Sequence, residues 1–143
     1  MTTVVFDSSA LTKLLLREAD SDVAIQLCVA CDGPVASQFA YPEVCAALSA
    51  AARDHRLTLA ELSDALTLWT ALWSNVRTID LTDTVIERAG ALAVDHGLRG
   101  ADAVHLACYF ALGSAEVLFA SWDLRQREGA LSSGAALAPT ILR

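Results

Sequence analysis

Four short β-branched or apolar runs, TVVF, PVAS, VRTI and EVLFA, alternate along the chain with longer stretches of helical period. That alternation predicts an α/β domain in which a parallel sheet is flanked by helices. Strands are expected near 3–6, 34–37, 76–79 and within AEVLFA, and the tail ALAPTIL offers a further edge strand. The first helix is expected from Ser9 to Glu18 and the second over 21–31. YPEVCAALSAAARDHR reads as a third helix, with Pro42 in the first turn where its missing N–H costs nothing. In TLAELSDALTLWTALWSNV, Thr58 and Glu61 form a capping box. TDTVIERAGALAVDHG starts at Thr82 or Asp83 and closes at Gly97, GADAVHLACYFAL is helical, and SWDLRQREGA makes a short last helix. Leu62, Leu66, Trp69 and Trp73 share one helical face. That stripe reads first as core and second as a groove for an amphipathic partner helix.

Composition narrows the class. A chain of 143 residues is most simply one domain, 1–143. At this size about 68–70% of the unfolded surface can be buried, so no staples are needed. Hydrophobic residues make up 55% of the sequence, much of it alanine and leucine, which points to close-packed helices and leaves apolar surface for a partner. The formal charge of −7 excludes a broad cationic surface for nucleic acid. A phosphate-bearing ligand would need a few local arginines or a bound cation. The first residues lack a basic segment followed by a long apolar one, and no stretch is apolar enough to span a membrane, so a cytoplasmic protein is expected. Cys28 and Cys31 form CVAC, but at the end of the expected second helix rather than its start. A buried structural pair is therefore favoured over a redox pair.

Four carboxylates sit where chemistry would be placed. Asp7 follows the first strand and Asp123 follows the strand within AEVLFA, in the same strand-to-helix position. Ligands of open α/β sheets collect beyond the carboxyl ends of the strands. Asp102, in RGADAVHLA, and Glu43, in YPEVCAAL, each stand alone among apolar residues in the first turn of a helix. Singly, Asp7 and Asp123 could be caps that meet orphan N–H groups and the positive end of the helix dipole. Asp102 is favourable near a helix N-terminus for the same reason, and Glu43 could be a solvated first-turn acid. Together they are costly unless a cation sits among them, and an all-oxygen acidic set suits Mg²⁺ or Mn²⁺.

The segments VVFDSSALTKLLLRE, YPEVCAALSAA, LRGADAVHLACYFAL and LFASWDLRQREGA resemble, in order, the four acidic blocks of PIN-domain ribonucleases of the VapC toxin type. The resemblance runs from about residue 4 to residue 130. It implies a three-layer α/β/α domain with a central parallel sheet of four or five strands. It implies that Asp7, Glu43, Asp102 and Asp123 bind Mg²⁺, or Mn²⁺ in its place, with Asp7 and Asp102 as direct ligands. Ser8 takes the hydroxyl position beside the first Asp, and Ser121 the one that orients a water or a phosphate oxygen. No acid follows Asp123 until Glu128, so a fifth carboxylate of some relatives is absent and one or two metals remain open. The implied reaction is endonucleolytic RNA cleavage that leaves a 5′-phosphate and a 3′-hydroxyl. The implied partners are a VapB antitoxin and a second copy of the chain.

Lys13, Arg17, Arg99 and Arg125, with Arg53, Arg56 and Arg127, are the candidate contacts to the RNA backbone. For any one of them a solvated helix face is the simpler reading. Two other classes compete. A haloacid-dehalogenase-like phosphotransfer enzyme also begins with Asp after a first strand, but it carries a second Asp where this chain has Ser9. A silent PIN-like binding module would keep the fold without the cleavage.

Overall fold

The computed structural model describes residues 2–113 and 115–142. Its elements are β1 (Thr3–Phe6), α1 (Ser8–Thr12), α2 (Ser21–Ala30), β2 (Val35–Ser37), α3 (Ala40–Arg53), α4 (Leu59–Trp73), β3 (Arg77–Ile79), α5 (Asp83–His96), α6 (Gly100–Ala111), β4 (Val117–Ala120), α7 (Leu124–Ser132) and β5 (Leu137–Ala138). The five strands form one parallel sheet in the order β3-β2-β1-β4-β5. β1 is central, and Thr3 to Phe6 stand in register with Val117 to Ala120 of β4. The expected α/β/α architecture is the one observed, with the tail strand included.

Strand periodicity explains why there are two cores. Val4 and Phe6 of β1 point into one, with Leu11, Val44, Leu48 and Trp69 from α1, α3 and α4. Val5, between them, points into the other, with Val85, Leu92, Leu106 and Phe119 from α5, α6 and β4. Successive side chains of a strand face opposite ways, so a central strand apolar throughout must be covered on both faces. The chain moves from β1 outward to β2 and β3, then crosses back to β4 on the other side of β1. The ends of β1 and β4 therefore flank the point where the winding reverses.

The first helix is shorter than its apolar pattern suggests. After Thr12 the chain tightens into turns, with Leu14 and Leu15 bonded three residues back, and Ser21 Oγ closes the segment by donating to the carbonyl of Leu16. Three consecutive leucines cannot all face inward from one regular helix. The tighter path buries Leu16 and packs Leu14 and Leu15 against the core. α3 stops at Arg53 rather than near Arg56. His55 takes a left-handed conformation (φ 58°), and the amides of His55 and Arg56 bond back to Ala52 and Ala51, closing the helix in a Schellman motif.

Other expectations hold in detail. The Thr58–Glu61 capping box is present, and Gly97 ends α5 with φ 63°. Thr58→Ala should cost about 1 kcal/mol, read as a lower urea midpoint at unchanged slope. Trp69 is fully buried and stacked on Tyr41 at 5.9 Å, with Trp73 at 5.3 Å, so Trp69 is core, while Leu62, Leu66 and Trp73 pack against that core only partly buried. Cys28 and Cys31 are free thiols at the C-terminal end of α2, and burial raises the Cys28 pKa, the opposite of an activated redox cysteine. Among the described residues no helix is long and apolar enough to cross a membrane.

Candidate active site

The cap reading and the site reading of Asp7 both apply. Its Oδ1 accepts from the Ala10 amide at 2.9 Å, which caps α1, and from Ser9 Oγ at 2.6 Å. Ser9 Oγ in turn accepts from the Trp122 amide at 2.9 Å, so one hydroxyl ties the end of β1 to the chain just past β4. The hydroxyl from the first turn of α1 that bonds the Asp7 carboxylate is thus that of Ser9, not Ser8. Ser8 lines the neighbouring cleft, and its carbonyl accepts from Thr12. Burial pushes the Asp7 carboxyl above its ordinary pKa, while nearby His105 and hydrogen bonds from Ser121, Ser9 and Ala10 pull the other way.

Asp123, by contrast, uses its two oxygens for different partners. Oδ1 accepts from the Gln126 amide at 2.9 Å and caps α7, while Oδ2 meets Arg99 Nη2 at 3.3 Å. The Asp123 amide donates to Ser121 Oγ at 3.2 Å, so the fully buried Ser121 hydroxyl joins the Asp7 carboxylate to the backbone of Asp123. Asp102 is 8% exposed in the first turn of α6. Arg99 Nε donates to its Oδ2 at 2.8 Å, and Nη2 reaches Oδ1 at 3.5 Å. Glu43, in the first turn of α3, pairs through Oε1 with His105 Nε2 at 2.5 Å. His105 lies one turn beyond Asp102 on α6 and is 1% exposed.

The four acids therefore gather at one rim around two nitrogen-bearing side chains. Arg99 contacts Asp102 and Asp123, and the nearby charge of Glu43 also raises its pKa; His105 lies between Glu43 and Asp7. Among the described residues, no three acids, histidines or cysteines are spaced to hold one ion. The expectation that only a divalent cation could relieve the crowding needs amending, because here a guanidinium and an imidazole partner the carboxylates. Two supports were not singled out from sequence. His105 follows Asp102 by three residues, a spacing that places both on one helix face. Gln126 Nε2 donates to the Asp102 carbonyl at 2.8 Å and ties α7 to α6. Gly129 brings α7 close to the segment before Arg99, since a Cβ there would stand 2.6 Å from Leu98 Cδ2.

The basic candidates separate by position. Lys13 faces an open cleft of about 420 Å³ that Glu43, Trp122 and Asp123 also line. Its ammonium bonds Glu18 at 3.3 Å and the Ala19 carbonyl at 2.7 Å. Arg17 faces a different groove with Arg56, Glu61 and Asp64, away from the acids. Arg53 bonds Ser49, Arg56 approaches Glu18 at 3.8 Å, and Arg125 is exposed on α7. Arg127 is not a surface contact at all. It is buried and donates to the carbonyls of Ser121, Pro139 and Thr140, stitching α7 to the C-terminal segment.

The PIN domain model matches residues 4–130. Over 142 residues the chain is 49% identical to the ribonucleases VapC45 and VapC49 of Mycobacterium tuberculosis, covering 99% of this chain and 99% of each relative. In fold it resembles the sarcin-ricin loop cleaving toxin VapC20 of M. tuberculosis, with TM-score 0.66 and 18% identity over 94% of this chain and 97% of that one. A toxin-antitoxin complex from Klebsiella pneumoniae matches with TM-score 0.59 and 21% identity, over 85% and 87% of the two chains. A fold wound around β1, with acids at its reversal point and a family match over most of its length, makes this chain a member of the PIN domain family, alongside the VapC ribonucleases.

Proposed function

We propose that the protein is a metal-dependent endoribonuclease toxin, neutralised by a VapB-type antitoxin. The observation that carries this reading is the gathering of Asp7, Glu43, Asp102 and Asp123 at the reversal point of the sheet in a chain so similar to curated ribonucleases. The similarity to named VapC proteins and the fold shared with a chain of a toxin-antitoxin complex support the antitoxin as partner.

The donor set is all carboxylate oxygen, which fits Mg²⁺ or Mn²⁺ and poorly suits softer metals. Asp7 and Asp102 would hold the ion directly, and Glu43 and Asp123 directly or through water. When bound, such an ion supplies an acidified water and neutralises charge on the phosphate. The chain's own part is preparatory. Ser9, Ser121 and the Ala10 amide fix Asp7 in its buried position. His105 holds Glu43 toward the rim, and Gln126 keeps α6 and α7 together beneath Asp102 and Asp123. Lys13, which lines the cleft with Glu43 and Asp123, and Arg125, exposed two residues past Asp123, offer further positive charge to an RNA backbone, which an acidic protein otherwise repels.

Purified protein incubated with structured RNAs should cut in Mg²⁺, stop in excess EDTA, and resume when Mn²⁺ is added back. Undiminished cutting in EDTA would remove the metal from the mechanism. Binding without any cutting in Mg²⁺ would favour a silent binding module.

A further inference from the structure

Arg99 is the one cation touching two of the four acids among the described residues, and it differs from the other groups at the rim in how it is held. One edge of its guanidinium, Nε and Nη2, spans both oxygens of Asp102 and reaches Asp123 Oδ2. His105, the other partner, is sealed in the core. Arg99 instead stands at the start of α6 without a side-chain cap bond, its side chain 63% exposed. The guanidinium end of the pair is open to water and salt, which screen it, while the Asp102 side chain is only 11% exposed. Arg99 is not a member of either apolar cluster, and its guanidinium lies at the rim rather than in the core.

We propose that Arg99 is a resident counter-ion that competes with the divalent cation for Asp102 and Asp123 and turns outward when the cation binds. The proposal rests on the metal-dependent reading above. Its physical basis is that neighbouring carboxylates repel unless positive charge lies between them. In the metal-free chain the guanidinium supplies that charge and keeps both acids oriented. Divalent charge among the same oxygens makes the guanidinium redundant, and like charges then drive it into solvent. Its planar fork, matched to phosphate, would be released at the rim where a backbone enters. The arginine would thus lower metal affinity in the resting protein and expose a phosphate contact only in the loaded one.

Two measurements on the full chain without RNA test this. In ¹⁵N–¹H spectra the Arg99 Nε–H, assigned by its loss in Arg99→Gln, should be protected from exchange without metal and lose that protection as Mg²⁺ is added. In Mn²⁺ titrations followed by electron paramagnetic resonance, Arg99→Gln should bind about tenfold more tightly than the parent, with Arg99→Lys in between. If Mg²⁺ shifts the amides around Asp102 and Asp123 while Arg99 Nε–H stays protected, the arginine does not leave and the proposal fails. Weaker Mn²⁺ binding by Arg99→Gln would equally overturn it, showing an arginine that merely positions Asp102. Should the parent bind neither ion, the metal-dependent reading falls first and this inference with it, an outcome distinct from the other two.

Discussion

Asp7→Asn should reduce RNA cleavage by about 10³-fold or more, the scale on which losing one member of a cooperating catalytic set registers. The fold should survive. Asparagine has nearly the shape of aspartate, and its Oδ1 can still accept from Ser9 Oγ and the Ala10 amide, so α1 keeps its cap. The metal-free variant should be at least as stable as the parent at neutral pH, and the sign follows from burial. Asp7 is 3% exposed, and burial raises its folded pKa above the unfolded value of about 3.8. Between those two pKa values the folded chain holds the extra proton, so stability falls as pH rises through that window. Above it the ionised carboxylate carries the full desolvation cost, which the neutral amide avoids. Initial cleavage rates in Mg²⁺, beside thermal melts of both proteins at pH 7, check the pair. Rates equal to those of the parent would refute the nuclease assignment. Loss of both activity and melting temperature would show that Asp7 is first a structural residue.

The sheet, its helices and the placement of the acids were legible in the sequence for one reason. The strand-to-helix junctions after TVVF and EVLFA carry their own punctuation, and both carry Asp at the N-cap. Such local signals survive without a structure. The role of Ser9 over Ser8 was not legible, because which hydroxyl turns back toward Asp7 depends on where the Trp122 amide arrives, 113 residues later. Arg127 was hidden for a related reason. A basic residue on a short polar helix reads as surface until the C-terminal segment is seen to bring two carbonyls over it, beside that of Ser121. His105 and Arg99 show the remaining limit. The sequence marks four negative charges in an acidic protein, and an ion is the simplest counter-charge to imagine. Only tertiary packing reveals that α6 and the residue before it already supply a guanidinium and an imidazole.

Trp69→Ala should destabilise the protein by about 3–5 kcal/mol, the range for deleting a large aromatic from a closed core. Against a typical domain stability of about 5–15 kcal/mol, that is a large share. The ring is fully buried, stacked on Tyr41 and packed beside Trp73, and its Nε1 donates to the Tyr41 carbonyl at 3.4 Å. Little around it can collapse into the space, because Ala40, Ala51 and Ala65 line the same core with side chains too small to fill it. The consequence extends to the rim. Tyr41 lies two residues before Glu43 in the first turn of α3, so the tryptophan that braces Tyr41 also braces the helix start that presents Glu43 to His105. Trp69→Phe retains an aromatic partner for Tyr41 and should lose less than half as much. Urea unfolding of the three proteins, with cleavage rates measured where each remains folded, separates the two sequence readings of this stripe. Core packing requires a graded loss of stability. A partner groove would instead leave the unfolding midpoint unchanged and weaken only the binding of an antitoxin helix.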